Sequence, residues 1–231
     1  MILDDIGQAL AENGLTLRGG VVPAGENGPL EARDGAPASS VLLVGQRGAE
    51  PWPHFNGWLR GQASGVANPL DTWSRQVIGA VAERFGARAV SPSDRPYLPF
   101  QQWAMRAEGL RPSPLGILMH PEYGLWHAYR GALIFGDGPV TEAIAATPAA
   151  RAAAHPCESC TAKPCLTHCP VGAHSEGAFN YRSCLAHAGG QDGVPCRSEG
   201  CFDRNACPVG QEWRYPREVQ QFHMRAFLGL A

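Results

Sequence analysis

CESCTAKPCLTHCP, residues 157–170, is the stretch that decides how this chain is read. It spaces four cysteines as Cys157-x2-Cys160-x4-Cys165-x3-Cys169 and closes on Pro170. Cys184 follows alone, then a second run, Cys196-x4-Cys201-x5-Cys207, closes on Pro208. Each closing Cys-Pro is followed by Val-Gly. A cubane iron–sulfur cluster needs four thiolates aimed at four iron corners. Closely spaced cysteines on one wrapped loop supply three of them. The last cysteine of the run points away to serve a second cluster, and proline turns the chain out of the loop. By this logic Cys157, Cys160, Cys165 and Cys207 hold one 4Fe-4S cluster, and Cys169, Cys184, Cys196 and Cys201 hold another. The first run is longer than the bacterial ferredoxin pattern between its second and third cysteines, and the second run is looser still.

Other readings of the same cysteines are weaker. Zinc accepts C-x2-C pairs but has no use for closing Cys-Pro turns. Disulfides require an oxidising compartment, for which the sequence carries no signal. His155, His168, His174 and His187 lie among the cysteines and read as loop residues, with partial histidine ligation as the alternative.

The 231 residues contain eight cysteines, all between Cys157 and Cys207. That asymmetry predicts two domains: residues 1–140, a cofactor-binding α/β domain, and residues 150–231, a small loop-rich iron–sulfur domain ending in a helix. The Pro/Ala-rich segment from Gly138 to Pro156 is expected to be part linker and part short helix. Hydrophobic residues make up 44% of the chain, enough for a buried core, while 28 glycines and 20 prolines point to many turns. The net charge is -2, and no long basic run is present. Electrostatic capture of nucleic acid or of an anionic membrane is therefore not expected. The acidic N-terminus, MILDDIGQALAENG, lacks the basic and apolar regions of a secretory signal, so the expected location is the cytoplasm.

In the cysteine-free part, helices are predicted over Ile2–Asn13, Asp71–Phe85 and Pro99–Glu108, stopped by Gly14, Gly86 and Gly109. Strands are predicted at Val41–Val44 and Arg88–Val90. Leu115–Met119 and Arg130–Phe135 read as two strands joined by the loop HPEYGLW. Arg217–Leu228 reads as a C-terminal helix. The fold class is α+β. The segment from Leu115 to Phe135 concentrates His120, Tyr123, Trp126, His127 and Arg130 around one loop. Such a loop suits a flat aromatic cofactor, although core packing explains the same aromatics.

HPEYGLWHAYRG resembles a stretch of the CblC-type cobalamin-processing proteins, with His120, Pro121, Tyr123, Gly124, Trp126, Arg130 and Gly131 as the matching positions. The order of parts resembles epoxyqueuosine reductase and the reductive dehalogenases. There, a nitroreductase-like cobalamin domain precedes a two-cluster ferredoxin domain. The resemblance covers roughly residues 95–210. The Gly-rich continuation of the reductase is replaced here by Arg111-Pro112-Ser113-Pro114, and its catalytic aspartate has no counterpart. The resemblance implies an iron–sulfur oxidoreductase passing electrons from two 4Fe-4S clusters to a corrinoid, held by the chain itself or by a corrinoid-dependent partner enzyme. In that reading His120, Tyr123, Gly124, Trp126, His127 and Arg130 form the cofactor loop. A flavodoxin, ferredoxin or reductase is the expected electron donor. The alternatives are an electron-transfer protein with a flavin-binding or docking domain, and a non-enzymatic cobalamin chaperone.

Overall fold

The computed structural model describes residues 1–23, 30–63, 65–147 and 154–230, and the chain is α+β, as expected. It divides into two compact units: Met1–Gly109 with Ala128–Ala152, and Leu110–His127 with Ala153–Ala231. The segment 110–127, which the sequence reading attached to the first domain, thus groups with the cysteine-bearing unit. Residues 148–153 of the Pro/Ala-rich segment lie outside the described residues.

The chain opens with α1 (Ile2–Ala11), β1 (Thr16–Val21), β2 (Ser40–Arg47), α2 (Trp52–Arg60), α3 (Pro69–Phe85), β3 (Arg88–Val90) and α4 (Phe100–Glu108). It then forms a short antiparallel ladder of β4 (Arg111–Pro112) and β5 (Leu118–Met119), continues along β6 (His127–Phe135), and adds α5 (Pro139–Ala146). The main sheet runs in the order β1-β2-β6-β3. Its central strand β2 is the apolar run Val41–Val44, buried along all but its last residue. A strand covered on both faces needs such a run. Ile6 and Leu10 of α1, Phe55 of α2, and Trp73 and Ile78 of α3 fill the same core. The two strands expected at Leu115–Met119 and Arg130–Phe135 form as Leu118–Met119 and His127–Phe135, and each pairs with a different partner. Met119 pairs with Arg111, while β6 starts three residues early and pairs with β3 through Ala132 and Val90.

β1 and α2 have no sequence expectation. TLRGGV carries two glycines and an arginine, which weaken any strand signal, and its pairing slips between Leu17 and Gly20. α2 opens on Pro51 at its N-cap and Pro53 in its first turn, at the helix entrance, where a missing N–H costs little.

A buried polar network crosses the first unit. Arg18 grips Glu108 with Nε and Nη2 at 2.6 and 2.8 Å, Tyr129 donates to the same carboxylate, and Arg130 donates to Gln46 at 2.6 Å.

The second unit is held by short elements: α6 (Pro156–Ser159), a 3-10 turn at Pro164–Leu166, β7 (His174–Ser175) paired with β8 (Ala178–Phe179), α7 (Tyr181–Gly189), α8 (Val194–Glu199), α9 (Phe202–Asn205) and α10 (Arg217–Phe227). α10 packs on α8, with Arg217 paired to Glu199 at 2.7 Å.

Candidate metal centres

The eight cysteines are all free thiols. Cys157 lies on α6 with Cys160 just past its end; Cys165 lies on the 3-10 turn and Cys207 two residues after α9. Cys184 sits on α7, Cys196 on α8, and Cys169 and Cys201 in the turns beside them. Their electrostatics fall into two groups. Burial pushes the Cys165 thiol up to about 11, and Cys207, Cys157 and Cys160 add to the rise. Cys157 is raised by burial, then by Cys207 and Cys160. Burial likewise pushes Cys184 up to about 11, with Cys201, Cys169 and Cys196 adding to it. Cys196 is raised by burial and then by Cys169. The neighbourhoods are thus Cys157, Cys160, Cys165 and Cys207 on one side, and Cys169, Cys184, Cys196 and Cys201 on the other.

Closely spaced thiols that burial and their neighbours push upward are suited to a cation that displaces their protons. A donor set of sulfur alone suits iron–sulfur clusters or zinc and not a hard oxygen-seeking ion. Among the described residues, no group of three or more His, Cys, Asp or Glu side chains is placed to hold a single metal ion. The grouping is therefore one of neighbourhood, not of convergence on a point.

The first quartet has an apolar wall. Pro114, Met119, Leu125, Pro164, Pro208 and Val209 line the cavity into which Cys157, Cys160, Cys165 and Cys207 open. Met119, Leu125 and Cys207 form one buried hydrophobic cluster, joined by Leu115, Ile117, Cys157 and Val209. The ladder β4–β5 and the loop after it thus serve as the wall of the cysteine site. Backbone meets backbone there. Gly124 has φ +55 and Gly210 has φ +67, and a Cβ on either would collide with the other loop, at the Val209 carbonyl or at Tyr123. Only glycine tolerates both the left-handed backbone and this approach.

The loop residues expected around a flat cofactor have protein neighbours. His120 stacks on Tyr123 with ring centroids 3.9 Å apart, and its Nδ1 accepts from the Glu122 and Tyr123 N–H groups at 3.1 Å. Tyr123 meets Trp213 edge-on at 5.0 Å. His127 is buried, its Nε2 2.9 Å from the Leu118 carbonyl oxygen. Trp126 is 0% exposed, against Tyr215 at 5.3 Å and the Arg204 guanidinium at 4.4 Å. It offers no bare face to a corrin or flavin ring. Arg130 belongs to the first unit and is bound to Gln46 there.

Two residues near the cysteines carry no sequence signal. Asp203 of α9 is 0% exposed and accepts the His168 and Cys169 N–H groups at 2.9 and 2.7 Å. Its other oxygen meets His174 Nδ1 at 2.8 Å. It therefore fixes the turn that carries Cys169. Arg204, next to it, donates to the Leu125 carbonyl at 2.5 Å. An Asp-Arg pair between cysteines reads as a solvated face until three-dimensional packing assigns it partners. Of the histidines expected in loops, His155 meets the Arg111 carbonyl at 3.1 Å and His168 the Pro164 carbonyl at 2.8 Å, whereas His187 lies on α7 with its Nε2 buried and without a hydrogen-bond partner among the described residues.

No family model matches the chain, and no curated protein matches it. Solved structures do. An epoxyqueuosine reductase captured with an epoxyqueuosine-modified tRNA stem loop aligns over 79% of this chain and 54% of its own, at 16% identity and a TM-score of 0.46. An epoxyqueuosine reductase from Bacillus subtilis aligns over 78% of this chain and 51% of its own, at 15% identity and a TM-score of 0.46. A selenomethionine-labelled epoxyqueuosine reductase gives 80%, 52%, 15% and 0.47. The chain spans about half the length of these structures. No described helix is long and apolar enough to cross a membrane.

Proposed function

We propose that this chain is an iron–sulfur oxidoreductase that holds two 4Fe-4S clusters and passes single electrons to an acceptor. The observation that carries the reading is the single apolar cavity onto which Cys157, Cys160, Cys165 and Cys207, distant in sequence, all open, in a unit that holds all eight free thiols. Cys157, Cys160, Cys165 and Cys207 would hold the first cluster; Cys169, Cys184, Cys196 and Cys201 would hold the second. The clusters supply one-electron chemistry when bound. The protein's own part is to hold the ligands and exclude water. Met119 and Leu125 cover the first quartet, and Asp203 fixes the Cys169 turn of the second.

For the acceptor, the resemblance offers a corrinoid in this chain or on a partner enzyme. The loop residues His120, Tyr123 and Trp126 are engaged with protein, so they do not fit a corrin-binding face. A corrinoid or flavin held by a partner enzyme is the reading these contacts favour. The expectation that nucleic acid is excluded does not stand: it rested on net charge and the lack of a long basic run, and one of the similar structures contains a tRNA stem loop.

The test is anaerobic reconstitution with iron and sulfide, reduction, and mixing with hydroxocobalamin or free flavin. Oxidation of the clusters in step with reduction of the added acceptor supports the proposal. Clusters that form but pass no electron to any acceptor would sink the oxidoreductase reading.

A further inference from the structure

Arg204 is a partly buried cation without an anion. Among the described residues no carboxylate pairs with it, and its Nε is buried with no hydrogen-bond partner. The neighbouring Asp203 spends its oxygens on His168, Cys169 and His174. The guanidinium is instead seated against two aromatic faces, 4.4 Å from the Trp126 ring centroid and 4.8 Å from that of Tyr215. Its Nη2 also donates to the Leu125 carbonyl at 2.5 Å. Aromatic faces and one carbonyl offset only part of what it costs to take a charge out of water.

Its place in the chain is between the quartets. Arg204 lies on α9, bracketed by Cys201 of the second quartet and Cys207 of the first. Its carbonyl accepts the Cys207 N–H at 3.2 Å. The Leu125 and Trp126 it holds belong to the wall of the first quartet and its backing.

We infer that Arg204 is the internal counter-cation of the two thiolate quartets, a positioning residue whose fixed charge raises the reduction potential of at least one cluster. The inference rests on the two-cluster reading. Thiolate-ligated clusters are anionic, and an added electron makes them more so; a fixed cation stabilises the reduced form most. The seat on Trp126 and Tyr215 holds the charge where solvent screens it little. Arg214 provides an internal contrast. It is exposed, 5.9 Å from the Trp126 ring, and donates to the Asn205 carbonyl at 2.6 Å, so water screens its charge more than that of Arg204.

The experiment is an EPR-monitored redox titration, with dithionite as reductant, of the reconstituted full chain and its variants Arg204→Gln, Arg204→Lys and Arg214→Gln. The expected result is a lower midpoint potential for one or both clusters in Arg204→Gln, a potential near that of the parent in Arg204→Lys, and a smaller shift in Arg214→Gln. Unchanged potentials in Arg204→Gln would overturn the inference, as would an equal fall in Arg204→Lys. If Arg204→Gln loses its clusters while Arg204→Lys keeps them, the charge is again what the site needs. If both lose them alike, the residue's part is packing and the inference fails. A parent chain that takes up no iron and sulfide is a different result: it ends the two-cluster reading itself.

Discussion

The two quartets are built differently. The first is covered by side chains from residues 114–125, which lie far from its cysteines in sequence: Pro114, Met119 and Leu125 close over thiols from residues 157–165 and 207. The second is assembled from neighbouring short helices. Beside it, Val171, Phe179 and Tyr181 are 41%, 43% and 49% exposed. What orders it is a buried carboxylate, Asp203, and not an apolar wall. A dry wall protects a metal site and strengthens every charge inside it; a hydrogen-bonded turn positions a ligand without excluding water. The looser cysteine spacing of the second run thus goes with a site held by polar contacts.

That comparison is broken most severely at Asp203. Asp203→Ala leaves two part-buried N–H groups and His174 without their acceptor, at up to roughly 1–3 kcal/mol for each lost partner. The expected outcome is loss of the second cluster with the first retained, read as a fall from about eight to about four irons per chain. Loss of both together would mean that the two sites do not assemble separately.

Gly124→Ala is the matching test of the first site. A methyl group there meets the Val209 carbonyl, and the left-handed backbone adds roughly 1–2 kcal/mol. It is expected to lower thermal stability and to empty the first site before the second, checked by a melting curve with iron counting.

Leu125→Ala sharpens the contrast more gently. Leu125 is 0% exposed, and truncation costs about 2–5 kcal/mol. Its specific mark is faster bleaching of the first cluster's absorbance in air, with the second cluster's decay unchanged.

The smallest effect lies outside both quartets. Burial, reinforced by the Glu108 charge and their hydrogen bond, holds the Tyr129 hydroxyl well above the usual tyrosine range, with Arg18 opposing. A raised folded-state pKa gives stability that is complete below the unfolded value near 10 and is lost as pH rises beyond it. Tyr129→Phe is therefore expected to lose about 1 kcal/mol at neutral pH and to show a shallower stability loss above pH 10. Denaturant melts at pH 7 and 10.5 measure both, and iron content stays at the parent value.

The sequence made the clustering of the cysteines in one unit readable, because closely spaced cysteines on tight local loops leave a spacing pattern. It likewise revealed β2, whose continuous apolar run has only one use, and α3 and α10, whose apolar residues recur at helical spacing. It did not reveal β1, where Gly19 and Gly20 serve close packing and not strand propensity. Nor did it tell which unit owns residues 110–127. HPEYGLW has the composition of a cofactor loop, and only the approach of Gly124 to Val209 shows that its partner is the cysteine segment. Asp203 and Arg204 were illegible for a related reason. A charged residue declares its role through partners distant in sequence, and local pattern holds no record of them.

The most direct measurement is the iron and acid-labile sulfide content of anaerobically purified protein, compared with its Cys165→Ser and Cys184→Ser variants. The account predicts about eight irons and about eight sulfides in the parent, and about four of each when either quartet loses a ligand and its cluster. Zinc without sulfide, or about four irons in the parent, would contradict it.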